Sequence, residues 1–292
     1  LTISQRHQRT IASTATVRGI GYWSGEHVNV EFHPADPFTG IRFVRTDLPA
    51  RAAIPACVAC RRQTPRRTTL AAGAAQVEMV EHVLAALAGM RIDNCEVRVD
   101  RAELPGMDGS AQPFVDAIVR AGVVQLDAMR RRLTVRQSVR VEADQAWIEA
   151  RPTDEPGLIV RYELDYAPHP AIGRQSIELA VTPQAFRSEL APSRTFLLRD
   201  EARWLQAQGR ARHVSPRELL VFDEDGPIQN QLRFADECVR HKTLDVVGDL
   251  ALAGMDICAY VVCHRSGHQL NAELVDRLLA EEQRIGARRR SA

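Results

Sequence analysis

The chain has 292 residues, of which 45% are apolar and 26% charged, and its 38 basic and 37 acidic side chains leave a formal charge of +1. This is the composition of a globular protein of one large domain or two ordinary ones, and so even a charge gives no ground for a nucleic-acid partner, which phosphate contacts would make clearly basic. No apolar run approaches the roughly 18 residues of a membrane-spanning helix, and the N-terminal LTISQRHQRTIAST lacks the apolar core of a signal peptide, so the six cysteines are expected to be reduced thiols in the cytoplasm.

Taken in chain order, Val28–His33 alternates apolar and polar residues, the period of a half-buried strand. It runs through the turn segment PADPFTG into a second apolar stretch, IRFV. Cys57-Val-Ala-Cys60 has the spacing of a zinc ribbon or a redox pair. No second pair completes it, so it reads as two small residues in a loop. Apolar residues then go most of the way round a predicted helix, Val77–Ala88, which marks it as buried, and Gly89 stands where a left-handed residue would stop it. The strand Cys95–Val99 follows. The second half repeats this order. Trp147–Ala150 runs through RPTDEPG into the alternating stretch Leu158–Tyr166, a helix ends at Gly254, and the strand Cys258–Val262 follows. Both helices close on the pentapeptide ALAGM, at 86–90 and at 251–255. The matching order predicts an α+β chain of two duplicated halves, 1–127 and 128–292.

The predicted buried helices carry charge, which is expensive unless the groups are paired, protonated or bound to a metal. Glu81 and His82 lie in the first. Alone, they could be a carboxylate paired with an arginine and a histidine satisfied in the core. In the second helix His241 and Asp245 are four residues apart on one face, with Asp249 four further along. An i, i+4 His/Asp pair can present two metal ligands or form a structural hydrogen bond. Counted with His82 from the duplicate helix, the set becomes two histidines and one aspartate, three N/O ligands with a fourth position open, the form of a catalytic zinc site that iron could also fill. Glu81 is then a neighbouring carboxylate free to act as general base. His268 follows a small Ser-Gly pair after the second-half strand. The other six histidines, His213 among them, read as solvated or structural. The basic clusters Arg61-Arg62, Arg66-Arg67, Arg130–Arg132 and Arg288–Arg290 read as solvated surface.

Several segments together carry a resemblance. They are Ser24-Gly25-Glu26, Thr39-Gly40-Ile41, Val80-Glu81-His82, Ile92-Asp93-Asn94 and Met107-Asp108-Gly109-Ser110-Ala111, then Ser193-Arg194-Thr195-Phe196, His241-Lys242 with Leu244-Asp245, Gly248-Asp249-Leu250 and Ser266-Gly267-His268 with Leu270-Asn271. In this order, over almost the whole chain, they resemble the zinc-dependent UDP-3-O-acyl-N-acetylglucosamine deacetylases of lipid A biosynthesis. The resemblance implies two repeated βααβ layers with the active site between their helices.

It also implies roles for single residues. His82, His241 and Asp245 would hold Zn2+, with Fe2+ as an alternative, and Glu81 would take the proton from water. His268, oriented by Asp249, would stabilise the charged intermediate and protonate the leaving amine. Thr195 would lie near the oxyanion, Lys242 would add positive charge, and Phe196 would line the substrate passage. The partner would be a nucleotide sugar bearing an acyl chain, with no nucleic acid and no membrane span, and the chain would act as a monomer. One arginine of the basic clusters could reach the pyrophosphate of that nucleotide sugar. Tyr22 and Trp23 stand where the family has a small apolar residue and a histidine, and Leu197 where it has glycine, so the acyl groove is expected to be narrower. A zinc amidohydrolase for another N-acetylated sugar would keep the same site. A non-catalytic protein of this fold would have no need of Glu81.

Overall fold

The computed structural model describes residues 5–49, 51–211, 214–216 and 218–291, with side chains described as far as residue 285. The first four residues, His213 and the side chains of Arg288–Arg290 lie outside the described residues.

Two sheets are built on one plan. In the first half the spatial order is Ala15–Ile20, His27–Pro34, Cys95–Val99, Ile41–Arg45, Ala53–Pro55. Neighbours pair antiparallel, antiparallel, parallel and antiparallel along that order. In the second half the order is Val139–Ala143, Ala146–Arg151, Asp256–His264, Leu158–Asp165, Arg174–Ala180, with the same succession of pairings. A short strand, Arg132–Thr134, adds to Asp256–His264 in the second half alone. The ribbon between the halves, Val123–Met129, pairs antiparallel with His7–Ile11, and residue 127, taken above as the end of the first half, falls within it.

A parallel pair needs a long crossover, and in each half that crossover includes one central helix, Glu81–Gly89 in the first and Glu237–Leu250 in the second. Alternation along the strands buries Val28, Val30 and Phe32 on one sheet and Val160, Tyr162 and Leu164 on the other. The two helices pack against each other between the sheets and share one continuous apolar core with both. They approach so closely that a Cβ on Gly248 would lie 2.2 Å from the Glu81 carbonyl oxygen. This contact sets charged groups from both halves side by side. Among the described residues no helix is long and apolar enough to cross a membrane.

Three expectations are corrected. The first helix starts at Glu81, not Val77, because Ala75–Glu78 pairs as a strand with Thr69–Ala72. Ala75 and Val77 point inward while Gln76 is exposed, a period of two, and Met79 at φ 59° breaks the chain before the helix can begin. Gly89 is the last helical residue rather than a left-handed stop; that conformation falls to Arg91 at φ 57°. Glycine is needed at 89 for another reason, since a Cβ there would lie 2.2 Å from the Phe186 ring. Gly254 does stop its helix in the left-handed region, at φ 67°. Finally, Arg130 is no solvated surface group. With Arg6 it joins the equivalent aspartates of the two halves, Asp93 and Asp256, at 2.6 to 3.3 Å. Cys57 and Cys60 occupy a tight turn with their sulfurs 3.5 Å apart.

Candidate metal centre and active site

His82 sits in the first turn of the first central helix, and His241 and Asp245 face it from the second. All three are buried, and their ligand atoms lie within 4.8 Å of one another. Asp245 Oδ1 is 3.7 Å from His82 Nε2 and 3.5 Å from His241 Nε2. The two imidazoles meet edge to face, 5.1 Å between centroids at 89°.

The donor chemistry suits a divalent cation. Asp245 Oδ1 is buried with no hydrogen-bond partner, an expensive arrangement unless a cation takes that lone pair. His241 Nδ1 donates to the Ser193 carbonyl at 3.2 Å, which leaves Nε2 as the free donor atom. Burial, reinforced by His241, pulls the His82 pKa down to about 3. Burial lowers that of His241 as well, so both rings are neutral, as ligation requires. Burial opposes the charge on Asp245, but Lys242 and His241 outweigh it and hold the carboxyl below the usual carboxylate range. Lys242 Nζ donates to Asp245 Oδ2 at 2.7 Å. The Lys242 ammonium is disfavoured by its own burial, yet Asp245 holds its pKa above the ordinary value.

Two further ionisable groups flank the trio. Burial raises the Glu81 pKa to about 7, against the pull of His268. His268 begins the C-terminal helix, and its Nδ1 donates to Asp249 Oδ2 at 2.8 Å. Burial lowers the His268 pKa, but Asp249 outweighs it and brings the value up to about 9. A carboxyl that titrates near neutrality and an imidazole that stays charged above it thus share the cleft with the three ligand atoms.

Around them opens a cleft of about 530 Å³. Its walls include Glu81, His82, His241, Lys242, Asp245 and His268, together with Thr195, Phe196, Tyr22 and Leu197. The structure therefore brings every anticipated site residue to one place except Asp249, which lies fully buried behind His268. Phe196 packs edge-on against Tyr166 and Phe222. Tyr22 is locked in its position: its ring leaves no room for a side chain at Gly106, and its hydroxyl donates to the Glu218 carbonyl at 3.0 Å. Arg67 lies over the Trp23 ring at 4.8 Å and is itself paired with Glu78.

The UDP-3-O-acyl N-acetylglycosamine deacetylase (LpxC) family model matches residues 8–280. The chain belongs to this family. It is 42% identical over 276 residues to the UDP-3-O-acyl-N-acetylglucosamine deacetylase of Anaeromyxobacter sp. (strain Fw109-5), covering 94% of this chain and 89% of that one. The enzymes of the same description from Brucella ovis and Brucella melitensis biotype 2 are each 40% identical over 278 residues, covering 94% of this chain and 96% of theirs. Family membership makes the chain a hydrolytic metalloenzyme, and the buried His82, His241 and Asp245 are the group among the described residues that could hold its metal.

Sequence reasoning missed four polar residues around the site. Thr68 contacts both Glu81 and Asp249, and Asn271 shares Asp249 with His268. The Ser193 carbonyl orients His241, and Tyr162 donates to the Ser266 carbonyl at 2.5 Å beneath the loop that leads into His268. Only Ser193 and Asn271 stood inside segments already singled out. Tyr162 sits in a stretch whose pattern announces strand and nothing more, and Thr68 in one from which no element was read.

Proposed function

We propose that His82, His241 and Asp245 hold one zinc ion, and that the side chains around it hydrolyse the acetamide of UDP-3-O-acyl-N-acetylglucosamine to acetate and a free amine. Deacetylation of that nucleotide sugar, a step of lipid A biosynthesis, is the reaction of the family to which the chain belongs. One observation supports the residue assignment above others: two neutral histidines and an ionised aspartate, drawn from two helices, converge between a carboxyl and an imidazolium in one cleft.

Zinc at this site would polarise the amide carbonyl and acidify a water molecule. Glu81, poised near neutrality, accepts the proton of the attacking water. His268, held as imidazolium by Asp249, donates a proton to the departing nitrogen and so avoids release of an amide anion. Lys242 and the Thr195 hydroxyl add positive potential and a donor on the side of the cleft where the oxyanion develops. Tyr22, Phe196 and Leu197 wall the passage for the acyl chain, and the fixed bulk of Tyr22 favours a short one. Equal turnover of short- and long-chain substrates would remove that last part of the reading. We place the reaction in the cytoplasm, the catalytic unit as a monomer, and the division between the halves at 127/128.

The deciding experiment is acetate release from UDP-3-O-acyl-N-acetylglucosamine by purified protein, by the same protein after chelation, and after return of zinc or ferrous iron. Release that stops with chelation and resumes with zinc supports the reading. A protein that binds zinc stoichiometrically and releases no acetate overturns the substrate and leaves the site.

A further inference from the structure

Thr68 stands at the foot of the hairpin formed by Thr69–Ala72 and Ala75–Glu78, and it is completely buried. Its three polar groups all have partners. The carbonyl accepts from Val80 N–H at 3.3 Å, just ahead of the first central helix. The backbone N–H donates to Glu81 Oε2 at 3.0 Å. The hydroxyl donates to Asp249 Oδ1 at 2.6 Å, across to the other half of the molecule. Asp249 is fully buried and spends its other oxygen on His268 Nδ1 and Asn271 Nδ2, each at 2.8 Å.

The terminal torsion of an aspartate is broad and roughly two-fold, so packing alone holds it loosely. Here three donors fix the carboxylate plane, and that plane sets the direction of the His268 ring. The same threonine holds the carboxyl of Glu81. We propose that Thr68 is a positioning residue which, on the deacetylase reading above, holds Glu81 through its N–H and the Asp249–His268 pair through its hydroxyl, keeping base and acid at a set separation across the bond being cut. Valine at this position would fill nearly the same space and keep the N–H bond to Glu81. It would leave Asp249 Oδ1 buried without a donor.

The test compares Thr68→Val with Thr68→Ser in the zinc-loaded full chain. Loss of a hydrogen bond to a charged group predicts a fall in kcat of about ten- to a hundredfold for Thr68→Val, with KM held within about twofold. Bound zinc should be unchanged, and Thr68→Ser should restore kcat to within about threefold of the parent. A Thr68→Val enzyme with kcat within about twofold of the parent, or a serine variant as slow as the valine one, overturns the proposal. A second readout is independent of turnover: the proton on His268 Nδ1, followed by NMR in histidine-labelled protein and assigned by its absence in His268→Gln. It should shift or broaden in Thr68→Val and return in Thr68→Ser. An unmoved resonance overturns the proposal. If the parent chain releases no acetate, the deacetylase reading fails, and the resonance still decides the role of Thr68. Should Thr68→Val not fold, Thr68→Ala takes its place against the same serine control.

Discussion

The two halves share one sheet plan and one kind of central helix, yet they carry different chemistry. The first helix has nine residues and places Glu81 and His82 in its opening turn. The second has fourteen residues and spreads His241, Lys242, Asp245 and Asp249 along its length. On the proposed assignment one half supplies a carboxyl and a single ligand, while the other supplies two ligands, an ammonium and the aspartate that charges His268. Neither half contains a complete site. The two scaffolds are equivalent in sheet plan, and the proposed function lies in what each does not repeat.

The strongest test of this division removes one ligand from each side. His82→Ala and Asp245→Ala are both expected to cut acetate release by at least about a thousandfold with loss of bound metal, measured by turnover and metal analysis. A His82 variant that keeps its metal and its activity would make the second half sufficient and end the comparison. Next come the two proton-transfer groups, again one from each half. Glu81→Gln and His268→Gln should each lower kcat by about 10²- to 10⁴-fold with metal retained. A variant of either residue that kept its kcat would remove that half's share of the proton transfer.

A smaller effect distinguishes the halves at the opposite end of the helices. Asp93 and Asp256 occupy equivalent places and share Arg6 and Arg130, but the Asp93 side chain is 2% exposed and that of Asp256 33%. Asp93→Ala should destabilise by about 3 kcal/mol in a denaturant titration. Asp256→Ala should cost about 1 kcal/mol or less, since solvent screens that pair. Equal losses would mean that burial does not separate them.

The last effect is a pH dependence of the chelated protein. The His268 pKa rises on folding from the ordinary value near 6.5 to about 9. The charged ring therefore adds stability that is fully present below about pH 6.5 and is lost as pH rises through about 9. The difference in melting temperature between the parent and His268→Gln should be present at pH 6 and gone by pH 10. A difference that grows with pH would contradict the arrangement with Asp249.

Much of this was legible in the residues. Alternation marked Val28–His33 and Leu158–Tyr166 as strands because a half-buried strand leaves that trace at any position in a fold. That His82, His241 and Asp245 come together was legible through the duplicated helix, which let His82 be read beside a pair 159 and 163 residues further along. The start of the first helix was misjudged because the short run around Val77 and Val80 satisfies both a strand period and a helix period. Only the left-handed turn at Met79 decides between them.

The sequence by itself determined the two α+β repeats, the helix stop at Gly254, and the residue types able to bind a metal and move protons, since these follow from local periodicity, backbone preference and side-chain chemistry. The tertiary structure alone decided that Thr68 would join Glu81 to Asp249, that Arg6 would reach Asp256, and that the Gly248 contact would bring the two helices close enough to share a site. Those contacts join residues up to 250 positions apart, and no local pattern encodes a partner at that distance.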